Sequence, residues 1–153
     1  MTFTWNTPEE DRVAIETWFA AWSEQVAAVD FAPALDLFED NIASFGTHMD
    51  VVEGLDRLAD NQWRNVWPTI EDFRWNLDTL KVGVSPDRLF ALGVITFSST
   101  GIAEDGGRFD RPGRGTVAFA RPTVDAAWKG VHTHVSLNPG TPQKSHGRRP
   151  AKR

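Results

Sequence analysis

The segment 71–103, with the sequence EDFRWNLDTLKVGVSPDRLFALGVITFSSTGIA, decides the fold class of this chain. It contains two long runs rich in Val, Ile, Phe, Trp and Thr, at about 71–83 and 88–103, which flank a Ser-Pro-Asp turn at 85–87. Neighbouring strands joined by so short a loop pair antiparallel, because parallel neighbours need a crossover of about a dozen residues or more. We therefore predict a hairpin of two long antiparallel strands.

Two further runs of the same kind, 113–121 and 126–137, extend this hairpin into a four-stranded meander. Turn residues precede each run: Glu-Asp-Gly-Gly at 104–107 and Pro-Thr-Val-Asp at 122–125. The patterns ahead of the meander are mainly helical. Helices segregated to one side of an antiparallel sheet define an α+β architecture.

The first helix has a marked start and a broad apolar stripe. Thr7 is expected to cap it, with Pro8 at the first helical position and Glu10 three residues after the cap. Apolar residues then recur at spacings of three and four, which is typical of the buried face of a helix. They are Ile15, Trp18, Phe19, Trp22, Val26 and Val29.

Three shorter elements complete the N-terminal half. A helix is predicted at 33–38 after an Asp30 cap, then a strand at 42–47, then a third helix that begins after Gly54. Pro68 ends this third helix, since proline breaks the hydrogen-bond ladder. Three helices over a curved, twisted sheet form a cone, and large aromatic walls favour a cavity inside it.

Composition bounds the class of protein. The 153 residues fit one domain, and the content of 41% hydrophobic and 24% charged residues is typical of a globular protein. Cysteine is absent, which excludes disulfides, thiolate metal sites and cysteine nucleophiles. No apolar run reaches the roughly 18–20 residues that cross a bilayer, and residues 1–5 lack the features of a signal peptide. We expect a cytoplasmic protein without a membrane partner.

Charge is distributed unevenly along the chain. All 21 acidic residues precede position 144, whereas residues 144–153 contain five Lys and Arg. The acidic part, 1–143, is predicted to be the folded domain, and its charge argues against a nucleic-acid partner because phosphate binding depends on clustered cations. The basic segment 144–153 is expected to be a disordered, solvated tail. Contact with nucleic acid or an acidic membrane is the alternative for this tail.

Three local patterns have counterparts in one known superfamily. They are Leu37-Phe38-Glu39-Asp40-Asn41 running into Ser44-Phe45-Gly46-Thr47-His48, then Val52-Glu53-Gly54 ahead of the third helix, then the closing strand Trp128-Lys129-Gly130-Val131-His132-Thr133-His134-Val135-Ser136. Together with the element order over roughly residues 8–140, they resemble the nuclear transport factor 2-like superfamily, and more narrowly its SnoaL-like branch. The resemblance implies a conical cavity and a homodimer formed through the outer face of the sheet.

This superfamily hosts isomerases, cyclases, dehydratases, oligomerisation domains and transport adaptors, so the fold alone does not decide the function. Ketosteroid isomerase, one of its members, uses a carboxylate base with a tyrosine and a protonated aspartate as oxyanion donors. The resemblance places Gly46 where that base would stand, and the chain contains no tyrosine. Steroid isomerisation by that mechanism is therefore rejected.

A polar cluster follows the first predicted strand, where the resemblance places the mouth of the cavity. His48 is a natural general base near neutral pH, and Asp50 could orient it. These two residues are the candidate catalytic pair. The alternative is a solvated loop, with Glu53 near a helix N-terminus where the macrodipole favours a carboxylate.

His132 and His134 alternate on the last predicted strand, so their side chains emerge on one face. Val131, Thr133 and Val135 form the more apolar alternation, which predicts that the histidines lie on the outer face, at a dimer interface. A place in the pocket is the alternative. A metal site would need a third ligand, and none is evident, so no metal is predicted.

Aromatic residues from separate elements are predicted to converge on the cavity. The candidate pocket residues are Trp22, Phe38, Phe45, Trp63, Trp67, Trp75 and Phe97, with Arg114, which could pair with a ligand carboxylate. The alternatives are a solid aromatic core and an exposed arginine at the start of a strand. No Gly-rich phosphate loop opens a helix, and no cofactor is predicted.

Two functions remain compatible with these patterns. One is a small-molecule-binding protein with a hydrophobic pocket for an apolar ligand, whose enzymatic form would be acid–base chemistry on a cyclic or polyketide-like substrate. The other is a non-catalytic homo-oligomerisation module that works through the outer sheet face.

Overall fold

The computed structural model describes residues 4–152, in which helices cover one face of a mixed sheet. The helices are α1 (Glu9–Ala28), α2 (Phe31–Leu35), α3 (Leu55–Leu58) and α4 (Arg64–Val66), with a π-helical turn at Ala59–Trp63 and a 3₁₀ turn at Trp67–Thr69. The strands are β1 (Phe38–Phe45), β2 (Val52–Glu53), β3 (Glu71–Val84), β4 (Phe90–Ile102), β5 (Arg108–Asp110), β6 (Gly113–Ala120) and β7 (Lys129–Leu137). The predicted α+β class is confirmed. None of the helices in these residues is long and apolar enough to cross a membrane.

The sheet runs in the order β2-β1-β7-β6-β4-β3, with β5 beside β4. The four predicted long strands are present as β3, β4, β6 and β7, and they pair antiparallel in that order. β1 pairs parallel with β7, which brings the first strand of the chain beside the last. The face that the helices cover is called the inner face here, and the opposite one the outer face.

The apolar stripe of α1 packs on the inner face as predicted. All six residues of the stripe are buried. The aromatic rings of the stripe contact other rings, mostly edge to face. The centroid of the Trp18 ring lies 5.2 Å from that of the Phe38 ring and 4.8 Å from that of the Phe119 ring. The predicted cap is wrong: Pro8 occupies the cap position, and no side chain accepts a hydrogen bond from the first turn there. The Thr7 hydroxyl donates to the Val82 carbonyl of β3.

Two predicted boundaries are also wrong. α2 ends at Leu35, and Phe38, expected to end this helix, begins β1 instead. The strand predicted at 42–47 begins earlier, so that residues 39–41 also lie within β1. An irregularity in the pairing with β7 between Phe38 and Ala43 absorbs them, as a β-bulge does.

The third predicted helix is one helical run from α3 to the 3₁₀ turn, with the π-helical turn in its middle. Gly54 precedes the run with a φ of 96°, a conformation that favours glycine. Pro68 lies in the closing 3₁₀ turn, as predicted. The π-helical turn buries Gln62 and Trp63 against the inner side, and such turns occur frequently at functional sites.

Two glycines of the sheet let aromatic rings rest directly on the backbone. A Cβ on Gly115 of β6 would lie 2.6 Å from the Trp75 ring, and a Cβ on Gly130 of β7 would lie 2.6 Å from the Phe38 ring. Neither position accepts a side chain unless the ring moves. Rings therefore occupy most of the space between the helices and the sheet.

The C-terminal segment, residues 144–152, lies along the domain, which differs from the disordered tail expected from its composition. Hydrogen bonds fasten it to the end of β4 and to the 3₁₀ turn. Arg149 donates to the carbonyls of Ala27 and Trp67 at 2.6 and 3.0 Å. The cation thus lies at the C-terminal end of α1, where unpaired carbonyls and the macrodipole favour it.

Candidate functional site

A small cavity of about 50 Å³ lies between the helices and the inner face. Its wall is mostly aromatic and aliphatic. The aromatic residues that border it are Trp22, Phe45, Trp63, Trp67, Phe73, Trp75 and Phe97, and the polar ones are Ser44, Thr47, Gln62, Arg111 and Thr133. The cavity therefore combines an apolar wall with a few polar groups, the usual composition of a ligand site.

The size of this cavity limits what it can hold. A volume of about 50 Å³ admits about three to five water-sized groups, since each needs about 10–15 Å³ on this measure. Pockets for drug-sized ligands measure about 300–1,000 Å³. The aromatic rings fill most of the interior, and only a small ligand fits in what remains.

Arg111, just ahead of β6, is the one charged residue among the described residues that border the cavity. Only 3% of its surface is exposed. Its Nη2 donates to the Thr47 hydroxyl at 3.2 Å, and its Nε has no hydrogen-bond partner within residues 4–152. Burial with no offsetting charge lowers the pKa of Arg111 to about 10. The guanidinium is thus a buried, uncompensated cation.

Two tryptophan side chains of the same wall also carry unmatched donors. The indole N–H groups of Trp22 and Trp75 are buried and have no acceptor in the part of the chain that the structure describes. Each buried donor left without a partner costs about 1–3 kcal/mol. The two indoles and the Arg111 guanidinium therefore place three unsatisfied donors around one cavity.

Gln62 fixes the loop that follows β1. Its Oε1 accepts hydrogen bonds from the backbone N–H groups of His48 and Met49 at 3.2 and 3.0 Å. A Cβ on Gly46 would lie 2.6 Å from Nε2 of the same glutamine. The position that the resemblance to ketosteroid isomerase assigns to a base thus faces a neutral amide from the π-helical turn.

The candidate catalytic residues His48 and Asp50 have exposed side chains. His48 borders an open depression outside the cavity, which we call the outer depression. The outer depression shares Thr47 and Arg111 with the cavity wall and is also bordered by Lys144 of the C-terminal segment. Both candidate residues stay a prediction, placed outside the cavity.

Six of the eight candidate pocket residues border the cavity: Trp22, Phe45, Trp63, Trp67, Trp75 and Phe97. The ring of Phe45, however, contacts the histidine rings of the outer face. Phe38 is buried among other rings and is not part of the wall. Arg114 is exposed, and its Nε donates to the Ser136 hydroxyl at 3.1 Å. Arg111, three residues earlier, is the arginine that reaches the cavity.

The sequence contains a signal for this arginine. The odd-numbered positions 113–119 of β6 are all buried, and Val117 and Phe119 among them are apolar. Arg111 continues this alternation ahead of the strand, whereas Arg114 has the opposite parity. Side-chain alternation in β6 therefore points Arg111 inward and Arg114 outward.

His132 and His134 lie on the outer face, opposite Thr133, which borders the cavity. The ring of Phe45 lies 4.3 Å from that of His134. His132 donates from Nδ1 to the Ala43 carbonyl at 2.7 Å. Within residues 4–152, no group of three His, Asp or Glu is close enough to hold a metal ion. The histidines are thus part of the outer surface, away from the cavity.

A second buried arginine, Arg121, has the counter-charge that Arg111 lacks. Its Nη2 donates to Asp11 at 2.8 Å, and its guanidinium lies 3.9 Å from the centroid of the Trp128 ring. Arg88 donates to the other oxygen of Asp11 at 2.7 Å. Burial raises the pKa of Asp11, but hydrogen bonds and charges from the two arginines outweigh it and leave that pKa below its ordinary value.

Comparisons with known proteins bear on the fold. No protein-family model and no curated protein matches the sequence. Among solved structures, a nuclear transport factor 2-like superfamily protein from Salmonella enterica matches with a TM-score of 0.69 at 18% identity, over 86% of this chain and 93% of the other. A ketosteroid isomerase-like protein from Erwinia carotovora matches with a TM-score of 0.70 at 16% identity, over 85% and 98%.

A third structure carries the name of a calcium/calmodulin-dependent protein kinase II association domain, from Xanthomonas campestris. It matches with a TM-score of 0.68 at 16% identity, over 92% of this chain and 95% of the other. The chain therefore has the nuclear transport factor 2-like fold, as the resemblance implied. Identities this low show the fold alone, and the SnoaL-like branch stays a prediction.

Replacing Arg111 with methionine is expected to raise the free energy of unfolding by about 1–3 kcal/mol, because the change removes a buried charge that no counter-charge offsets. Arg121→Met is the matched control and is expected to lower the same quantity by about 2 kcal/mol or more, because it removes one partner of the buried Asp11 carboxylate. Urea denaturation at neutral pH measures both. Equal destabilisation by the two variants would contradict the absence of a counter-charge at Arg111.

Arg149→Ala is expected to release the C-terminal segment, because it removes the hydrogen bonds to the carbonyls of Ala27 and Trp67. Tryptic cleavage after Lys144 should become several-fold faster, which mass spectrometry of timed digests measures. The control is Arg148→Ala, since the Arg148 side chain is exposed. Identical cleavage rates in the two variants would show that Arg149 does not hold the segment.

Proposed function

We propose that this chain is a small-molecule-binding protein whose ligand occupies the internal cavity. One observation carries the proposal: three unmatched buried donors belong to residues of a single cavity wall, on Trp22, Trp75 and Arg111. Folded proteins leave few buried donors unpaired, and each exception calls for an explanation. A ligand with hydrogen-bond acceptors is the explanation that also accounts for the aromatic wall.

Water is the competing occupant of such a cavity, since ordered water can satisfy buried donors. Water does not, however, gain from contact with indole and phenyl surfaces. A ligand that joins acceptors to a small apolar part satisfies the donors and removes the apolar wall from water in the same step. The combination of unmatched donors and aromatic surface therefore favours an organic ligand.

Binding is better supported than acid–base catalysis inside the cavity. The wall, as far as the structure describes it, contains no Asp, Glu or His. A reaction that uses His48 and Asp50 would take place in the outer depression, and a cyclic or polyketide-like substrate exceeds the room inside. The proposed activity is thus ligand binding. An enzymatic reaction would act only on a substrate that binds in the outer depression.

The expected affinity follows from the size of the ligand. A compound of about four heavy atoms gains at most about 6 kcal/mol, because the best small ligands reach about 1.5 kcal/mol per atom. The dissociation constant is then tens of micromolar at best. Titrations must therefore extend into the millimolar range.

Nitrogen–proton correlation spectra provide the test, because the seven tryptophans give seven indole N–H signals. A screen of compounds with three to six heavy atoms, each with an acceptor, is expected to shift the signals of Trp22 and Trp75. The signal of Trp5, which is 44% exposed, serves as the internal control. Trp→Phe variants assign the three signals.

Val66→Phe is expected to weaken the binding at least about tenfold, because Val66 borders both the cavity and the outer depression and a larger side chain fills the space. Val124→Phe, at an exposed position, should bind like the unmodified protein. If no compound shifts the signals of Trp22 and Trp75, the cavity does not bind ligands of this class and the proposal fails.

Self-association is the second candidate function, and it rests on the outer face. Phe90 and Val94 of β4 are 48% and 36% exposed, and the adjoining surface includes the Phe45 and His134 rings. Some structures that share the fold carry the name of kinase association domains. We propose that a second copy of this chain packs on the outer face, which would cover these apolar groups.

Light scattering coupled to size-exclusion chromatography tests this second proposal. The chain is expected to elute at twice its mass of 17.1 kDa, and Val94→Glu at the monomer mass, because the change puts a charge in the apolar contact. Val124→Glu adds the same charge on a loop outside this face and should leave the mass unchanged. A monomer at high protein concentration would rule out the dimer.

A further inference from the structure

We infer that the ligand of the cavity is a short-chain monocarboxylate, anchored by Arg111 and Thr47 with its alkyl end against the aromatic wall. This inference rests on the proposed function and specifies its ligand class. The proposed function specifies only the hydrogen-bond acceptors and the size of the ligand, and this inference also specifies its negative charge and its carboxylate group.

The charge follows from the state of Arg111. Only 3% of the residue is exposed, and the one side-chain hydrogen bond that it makes within residues 4–152 is to a neutral hydroxyl. Burial is the cause of its lowered pKa, and no carboxylate of residues 4–152 contributes to raise that pKa. A negatively charged ligand supplies that missing charge, and a neutral ligand does not.

The chemistry of the two anchoring side chains fits a carboxylate. Nε of Arg111 is free to donate to one carboxylate oxygen. The Thr47 hydroxyl accepts from Nη2, so its own hydrogen is available to the second oxygen. Charge-assisted hydrogen bonds of this kind are about twice as strong as neutral ones.

The outer depression favours the same sign of charge. Its ionisable residues are Arg111, Lys144 and His48, and no Asp or Glu belongs to its described wall. This local surplus of cations contrasts with the net charge of −5 of the whole chain. A ligand that approaches through the outer depression is therefore guided by cations toward the buried one.

The volume sets the length of the alkyl part. A carboxylate group uses three of the roughly three to five positions that the cavity offers, which leaves room for at most about two further carbon atoms. The indole rings of Trp22 and Trp75 and the ring of Phe97 border this remaining space. Inorganic phosphate is a poor fit, because one cation and an apolar wall leave its second charge and most of its oxygens unpaired.

The test compares four probes of matched size: propionate, propionamide, 1-propanol and inorganic phosphate. Each is titrated into the full chain, and the indole signals and the Arg111 Nε–H signal are followed. Propionate is expected to bind about ten- to a hundredfold more tightly than propionamide, as the charge-assisted bonds require. Propionate should also shift the Arg111 Nε–H signal, a readout that needs no substitution.

Two variants complete the test. Arg111→Met is expected to lower the affinity for propionate about tenfold or more and to leave that for 1-propanol unchanged. Lys144→Gln, in the outer depression, should weaken propionate only slightly, because that charge is exposed and screened. Thermal unfolding of each variant verifies that it is folded.

The outcomes separate the two levels of the argument. If propionamide or 1-propanol binds as tightly as propionate, or if phosphate binds more tightly, the carboxylate inference is overturned while ligand binding in the cavity stands. If Arg111→Met retains the affinity for propionate, the anchor is wrong. If none of the four probes, and no compound of the wider screen, shifts the signals of Trp22 and Trp75, the proposed function itself is overturned.

Discussion

The structure depends on the packing of rigid aromatic rings directly on the backbone of the sheet. Trp75 rests over Gly115 and Phe38 over Gly130, and the rings of α1 close the layer from above. Aliphatic side chains adapt their rotamers to fill gaps, whereas an indole or phenyl ring is planar and rigid and cannot change its shape. A layer of interlocking aromatic rings is densely packed. It still leaves a small space where the rings cannot contact one another, and this space is the cavity.

This aromatic surrounding determines what a charge inside it costs. In Arg121 the cost is offset by Asp11 and by a Trp128 ring within cation–π distance. The cost of burying the Arg111 charge is not offset in this way, and burial lowers the pKa of Arg111 to about 10. The guanidinium remains charged at every pH below that value, in both the folded and the unfolded chain. The folded chain therefore bears the cost throughout the physiological range.

Periodicity made much of the fold predictable, and local irregularities account for most of the errors. The spacing of three and four in α1 and the long β-rich runs after Pro68 are repeated signals, so single exceptions did not hide them. The bulge in β1 and the π-helical turn each insert residues into a regular element, and no periodic pattern reports an insertion.

The cavity was accessible to prediction through its aromatic residues. Arg111 precedes the predicted strand, whereas Arg114 lies within it, so only the shared parity of Arg111 and Val117 identifies Arg111 as the inward-facing arginine. The charge of the C-terminal segment predicts a solvated tail, because composition does not report that Arg149 donates to the carbonyls of Ala27 and Trp67.

The two buried arginines show where the chain departs from a purely structural design. An apolar side chain at position 111 would pack against the same rings without the cost of a buried charge. The chain instead places there a cation whose neighbour is a hydroxyl, and the nearby C-terminal segment adds Lys144 where an acidic residue would have relieved the charge. Both oxygens of the Asp11 carboxylate accept hydrogen bonds from arginines, whereas Nε of Arg111 and the indole N–H groups of Trp22 and Trp75 have no partner within residues 4–152. Such unpaired groups concentrate at functional sites, because a group that must pair with a ligand cannot already be paired with the protein. The unpaired state of Arg111 is thus the feature that connects the stability of this fold to the binding function we propose for it.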